Sequence, residues 1–248
     1  MACDTGLDAV DDFGCYIYSN TVYDILNIRI SNSCCNMKHW TTFIKAILGG
    51  ICISLGGIVN LKVGGVAGAC LFAFGLITVL FYGLELYTGL AGRVTWKEAS
   101  NRLILTIIGN VIGCLSIAFA IKSSMPELVE KATIIMNSHL SYNYLELIFL
   151  SACCGFIMEV AVGTYKSNMP DPNAVNPICN TLRQILPTLF GIPLFILCGF
   201  IHSIADAFYI GLASDFNNLV YYLTYYITIL SGNFIGCNVI RFCNWILK

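Results

Sequence analysis

The fold this sequence predicts is an all-α integral membrane protein of six transmembrane helices, and three observations predict it. Hydrophobic residues make up 57% of the 248 and charged residues only 11%, with a mean hydropathy of +0.77, a balance foreign to soluble domains. Apolar runs long enough to cross a hydrocarbon core of ~30 Å recur along the chain between short polar connections. The motif Gly-Asn-x-Ile-Gly-Cys occurs twice, at 109–114 and 232–237. It falls in the third and the sixth run, so the chain divides into two related three-helix halves. Three crossings per half is an odd number, which makes the repeats inverted. The net charge of -1 excludes a nucleic-acid partner, which would need a basic surface.

Residues 1–40 read as a cytoplasmic N-terminal segment. Asp4, Asp8, Asp11, Asp12 and Asp24, with no basic n-region before them, argue against a cleavable signal. Val22, Ile25, Leu26 and Ile28 fit an amphipathic helix on the membrane surface or part of a partly ordered tail. Residues 41–248 read as a single transmembrane domain. Its first span is placed at 42–60, where Gly49, Gly50, Gly56 and Gly57 permit close helix approach, and Lys62 marks the turn.

The second span starts near Val66 and meets Gly83-Leu84-Glu85-Leu86-Tyr87-Thr88-Gly89, where the helical pattern stops. Broken helices survive in a bilayer only where they are buried or line a cavity. From Thr88 the chain reaches the charged Arg93 quickly. Five residues cover about 17 Å when extended and only about 7 Å as helix, so residues 89–93 are expected to be extended, or Thr88 to lie off-centre. The third span, 103–121, carries the first Gly-Asn motif. Residues 122–143 read as a polar connection with Lys131 and His139 in it. The fourth span, 144–165, has Glu146 near one end and Glu159 deeper, a carboxyl expected to be protonated or paired. A loop with Pro170, Pro172 and Pro177 follows. The fifth apolar run covers 185–213 and the sixth span 219–247.

The fifth run holds Gly199-Phe200-Ile201-His202-Ser203-Ile204-Ala205-Asp206-Ala207-Phe208. Ionisable groups at membrane depth are costly and face a bundle interior or a water-filled path. Interruptions in the second helix of each inverted half, at Glu85–Gly89 and His202–Asp206, point to a midplane permeation or binding site. Orientation follows from the basic residues. With both termini inside, the cytoplasmic side holds Arg29, Lys38, Lys45, Arg93, Lys97, Arg102, Lys166, Arg183, Arg241 and Lys248, and the outer side only Lys62, Lys122 and Lys131. His202 and Asp206 stand at i, i+4 on one helix face, a spacing open to two metal ligands. A hydrogen-bonded pair packing the break is the plainer reading. The 13 cysteines are scattered, with no C-x-x-C and no zinc spacing. They read as small hydrophobic filler with reduced thiols, and no cofactor is called for.

These residues resemble the formate/nitrite transporter family. The segment 199–208 is similar to that family's fifth-helix histidine motif, 83–89 to its second-helix break, and both Gly-Asn-x-Ile-Gly segments match. With the order of spans, the likeness covers nearly all of the chain from about residue 40. It implies a homopentamer of aquaporin-like protomers, each with its own pore for small monovalent anions. It further implies that His202 is the central pore histidine and Thr88 its hydrogen-bonding neighbour. Phe72, Leu76, Leu86, Tyr87, Met158 and Phe195 would supply the apolar constrictions. Glu85, Asn110, Asn233, Asp206 and His139 are candidate supporting residues. Gapless matching puts His139 where the family has an outer lysine, and Lys131 could substitute only if the loop folds back. Glu159 occupies a position usually uncharged in the family.

The chemistry of such a pore follows from solvation. An unpaired anion enters a dry apolar slit only at a cost of many kcal/mol. A proton removes that cost, and formic, nitrous, lactic and hydrosulfuric acids have stable neutral forms. Imidazole exchanges protons near neutrality, and burial favours its neutral form, so His202 reads as a neutral hydrogen-bond partner or transient relay. The function expected is a channel or proton-coupled transporter for a small weak-acid anion, not an enzyme. One alternative is an aquaporin-like neutral-solute pore, against which Asn176-Pro177-Ile178 stands as a lone motif. The other is a membrane-embedded metal-dependent enzyme using His202, Asp206 and Glu159.

Overall fold

The computed structural model describes residues 34–93, 96–167, 177–214 and 218–247. The expected surface pattern over 22–28 and the loop residues Pro170 and Pro172 lie outside them. Within them all regular structure is helical: α1 Cys34–Val63, α2 Gly65–Phe81, α3 Tyr87–Ala91, α4 Trp96–Lys122, α5 Pro126–Leu140, α6 Tyr144–Ser167, α7 Pro177–Leu197, α8 Ser203–Ala213 and α9 Leu219–Ile246. By length and hydropathy α1, α4, α6 and α9 can each cross a membrane. Large apolar side chains lie on the outside, among them Phe74, Phe149, Phe190 and Trp245 at 65% to 73% exposure. An apolar surface of that extent belongs in lipid or against another subunit. The chain is an integral membrane protein.

The second and fifth apolar runs are each two shorter helices, and the same devices separate them in both places. α2 and α7 end on glycines in the left-handed region, Gly83 at φ 57° and Gly199 at φ 69°, a conformation that Cβ-bearing residues resist. The next amides reach back across the last turn, Leu84 N–H to the Val79 carbonyl and Phe200 N–H to the Phe195 carbonyl, each at 2.9 Å. This is the Schellman stop. The chain then runs extended through Leu86 (φ -127°) and His202 (φ -103°) before α3 and α8 begin.

An asparagine from a neighbouring helix fixes each restart. Asn110 of α4 accepts the Tyr87 N–H at 2.9 Å and donates to the carbonyls of Glu85 at 2.9 Å and Ala46 at 2.7 Å. Asn233 of α9 accepts the Ser203 N–H at 2.9 Å and donates to Ile201 at 2.9 Å and Ser151 at 2.7 Å. Both side chains are fully buried, so the break groups they satisfy, at Glu85, Tyr87, Ile201 and Ser203, would otherwise be orphaned away from water. Gly50 and Gly155 make the approach possible, since a Cβ at either would collide with the facing asparagine carbonyl. The motif cysteines then cross over. Cys114 Sγ lies 3.3 Å from the Ile204 carbonyl in α8, and Cys237 Sγ 3.3 Å from the Thr88 carbonyl in α3.

Two expectations are corrected. Residues 89–93 are not extended: helix α3 runs to Ala91, Gly92 is in the right-handed helical region, and Arg93 closes a turn. The polar zone reaches inward instead. Arg102 Nη2 meets Glu85 Oε1 at 2.5 Å and Arg93 Nη2 meets Glu159 Oε1 at 3.2 Å, so paired charges stand at the break itself and just beyond α3. The connection 122–143 is also more than a polar link, because it contains α5. Pro126 sits at its first turn, where a missing N–H costs nothing. Leu128, Ala132 and Met136 recur every four residues and are buried.

Candidate functional site

His202 is the residue that joins the two breaks. Its place as N-cap of α8 puts the ring at a helix start, where Nδ1 accepts the Ala205 N–H at 3.1 Å. An acceptor at Nδ1 leaves the proton of a neutral ring on Nε2. Nε2 lies 3.1 Å from Thr88 Oγ1, so the ring donates and the hydroxyl accepts, and the Thr88 proton remains available to a further acceptor. Thr88 is fully buried and His202 is 2% exposed. The cap has a chemical consequence for proton exchange. A second proton can enter only at Nδ1, and it would break the bond to Ala205.

The surroundings of this pair are apolar. Phe195 stacks on the imidazole with ring centroids 5.7 Å apart, and Phe72 meets Phe195 edge-on at 6.1 Å. Leu76, Leu86, Tyr87 and Met158 are buried in the same hydrophobic cluster. Tyr87 is further held by its hydroxyl on the Leu230 carbonyl at 2.8 Å. A cavity of about 260 Å³ opens beside His202, with Phe72, Phe195, His139, Asp206 and Tyr209 in its wall. Leu76, Leu86, Tyr87 and Met158 do not line that cavity.

The expected helix-face pair of His202 and Asp206 is not a bonded pair. His202 spends both nitrogens on Ala205 and Thr88, while Asp206 Oδ2 takes His139 Nδ1 at 2.8 Å and the Tyr225 hydroxyl. Glu159 is elsewhere again, on Arg93. Among the described residues no three His, Cys, Asp or Glu side chains are grouped to hold a metal ion. Lys131 Nζ is bound to the Leu61 carbonyl at 2.7 Å. Tyr225 escaped the sequence reading, since one tyrosine in a run rich in them carries no local signal. The partners of Glu85 and Glu159 were equally hidden, although Arg93 and Arg102 follow the first break in sequence.

The family profile described as Formate/nitrite transporter matches residues 27–246. The chain belongs to the formate/nitrite transporter family. Two solved structures are similar to it in fold. A pentameric formate channel with formate bound superposes with a TM-score of 0.68 at 20% identity, covering 86% of this chain and 98% of that one. An FNT family ion channel gives 0.70 at 17% identity, covering 84% and 90%. No curated protein matches the chain.

The Arg93–Glu159 pair of this formate/nitrite transporter family member lends itself to a stability test. The two side chains are 23% and 15% exposed, so removal of one leaves the other poorly hydrated. Glu159→Ala should lower stability by about 1–3 kcal/mol, read as a fall in melting temperature in detergent. Adding Arg93→Ala should recover part of that loss. Equal melting of wild type and Glu159→Ala would show the pair to be idle.

Proposed function

We propose that the chain is a channel or proton-coupled transporter for a small monovalent weak-acid anion of the formate, nitrite, hydrosulfide or lactate type. Residues 41–248 form one domain of six transmembrane helices in two inverted three-helix repeats of aquaporin-like form, with the second and fifth helices interrupted. Both termini are cytoplasmic and the protein is a homopentamer of the cell membrane. The observation that carries the reading is the His202–Thr88 bond, made between two helix breaks inside an apolar wall. A wall with one donor and one hydroxyl favours a solute that sheds its charge on entering. Phe72, Leu76, Leu86, Tyr87, Met158 and Phe195 supply the apolar constrictions around that pair. Asn110, Asn233 and Glu85 support the breaks, while Asp206 and His139 shape the approach. The ten basic residues assigned to the cytoplasmic side against three on the outer side support this orientation.

Proteoliposomes holding the purified chain test the reading. Formate, nitrite, hydrosulfide or lactate should enter faster than in empty vesicles, and an inward proton gradient should accelerate at least one of them. Passage of glycerol or water with exclusion of every weak acid would favour the neutral-solute pore.

A further inference from the structure

The cavity beside His202 has a second ionisable wall whose charge the transport reading does not specify. Asp206, in the first turn of α8, is 1% exposed and lines the cavity together with His139 of α5. Tyr225 of α9 completes the cluster: its hydroxyl donates to Asp206 Oδ2 and lies 3.4 Å from His139 Nδ1. A carboxylate beside a space meant for anions repels them unless a cation cancels it.

The neighbouring cations are held elsewhere. Lys62 of α1 pairs with Glu127 at 2.6 Å, and Lys131 of α5 donates to the Leu61 carbonyl. Lys122 of α4 donates to the Ser214 carbonyl at 2.7 Å. Tyr209 of α8 and Tyr221 of α9 add hydroxyls rather than charge, bonded to Asn60 and to the Leu140 carbonyl. His202 has both nitrogens engaged. Only His139 touches the Asp206 carboxylate with a group that can carry positive charge among the described residues. Burial works against an imidazolium at this place, but the Asp206 charge and its hydrogen bond outweigh burial and raise the His139 pKa above the ordinary histidine value.

We infer that His139 is a specificity-determining residue of the pore. Protonated, it cancels Asp206 and lets a small anion occupy the cavity; neutral, it leaves the carboxylate facing the anion and keeps it out. The inference rests on the transport reading above. Its sign is fixed: admission is full at acid pH and is lost as pH rises through the His139 titration. A lysine in this place would stay charged across that range, so the histidine turns a constant attraction into one tied to protons.

Two measurements on the full chain test it. The protein has three histidines, His39, His139 and His202, so ring-labelled histidine gives few resonances and His139→Gln identifies the one sought. Its midpoint in the wild type should lie above about 6.5, and Asp206→Asn should lower it by about one pH unit. A wild-type midpoint at or below that value, or one unmoved by Asp206→Asn, overturns the inference. In vesicles, His139→Gln should cut anion uptake at neutral pH roughly tenfold or more, the scale of one uncancelled charge in an interior of intermediate dielectric. Adding Asp206→Asn should recover most of that loss. A double variant as inactive as the single one, with its oligomer intact by size, makes the role one of packing and overturns the inference alone. If the wild type moves no weak acid, the transport reading falls and this inference falls with it.

Discussion

Asn233→Asp should prevent assembly of the protein, although it exchanges one atom for another of equal size. The Asn233 amide nitrogen donates to two carbonyls, Ser151 at 2.7 Å and Ile201 at 2.9 Å. An aspartate puts an oxygen there, so three acceptors face one another with at most one proton between them. Each buried polar group left without a partner costs about 1–3 kcal/mol, and ionisation of the acid in this dry place would cost more. Two or three such losses together rival the ~5–15 kcal/mol that keeps a domain folded. Asn110→Asp should fail in the same way, on Glu85 and Ala46. The contrast is Asn143→Asp. That residue is exposed and uses its Oδ1 as acceptor for the Leu145 and Glu146 amides, and an aspartate serves equally well at a helix start. Size-exclusion profiles and melting curves in detergent decide the matter. A normal oligomer from Asn233→Asp would mean that the second break holds itself.

The second large effect concerns His202, where the cap and the pore chemistry separate by substitution. His202→Asn keeps a good N-cap acceptor for the Ala205 N–H. Its shorter side chain cannot also span the distance to Thr88, and its amide exchanges no proton near neutral pH. This variant should assemble with near-normal stability, could still pass an ion passively, and should lose the pH dependence of flux. His202→Phe removes cap, donor and relay together. It should abolish anion flux and, with the cap gone, lower stability by about 0.5–2 kcal/mol, leaving enough to assemble. Flux against pH for the two variants, each checked for oligomer size, tests the assignment. Full pH-dependent transport by His202→Asn would refute the relay, and transport by His202→Phe would remove the histidine from the mechanism.

Much of this architecture was legible because its devices are local. The interruptions expected at Glu85–Gly89 and His202–Asp206 lie a few residues after the actual glycine stops at Gly83 and Gly199, and Thr88, Gly89 and Ser203–Asp206 are already helical. His202 stood out because an imidazole is rare in an apolar run. The errors came where averages replaced pattern. α5 was read as polar because its outward face carries Glu127, Glu130 and Lys131, which hid the four-residue spacing of Leu128, Ala132 and Met136. The extended reading of 89–93 took the hydrocarbon thickness as fixed, whereas paired charges at Glu85 and Glu159 bring the polar boundary inward. The His139–Asp206–Tyr225 cluster could not be read at all. Its members are 67 and 19 residues apart, and only the packing of three helices makes them neighbours.

The asparagine bonds also bear on the order in which a growing chain can be built. Everything that Asn110 binds lies between residues 46 and 110, and everything that Asn233 binds lies between 151 and 233. Once residue 110 has been made, the first break has all the polar partners of its restart, while the ribosome has yet to begin the later helices. The thiol contacts of Cys114 and Cys237, and the bond from His202 to Thr88, tie early residues to late ones. The asparagine-held contacts of the first break are therefore complete within their own half. The pair on which transport is proposed to depend is among the last contacts to form, and it comes into being only when the two halves close on each other.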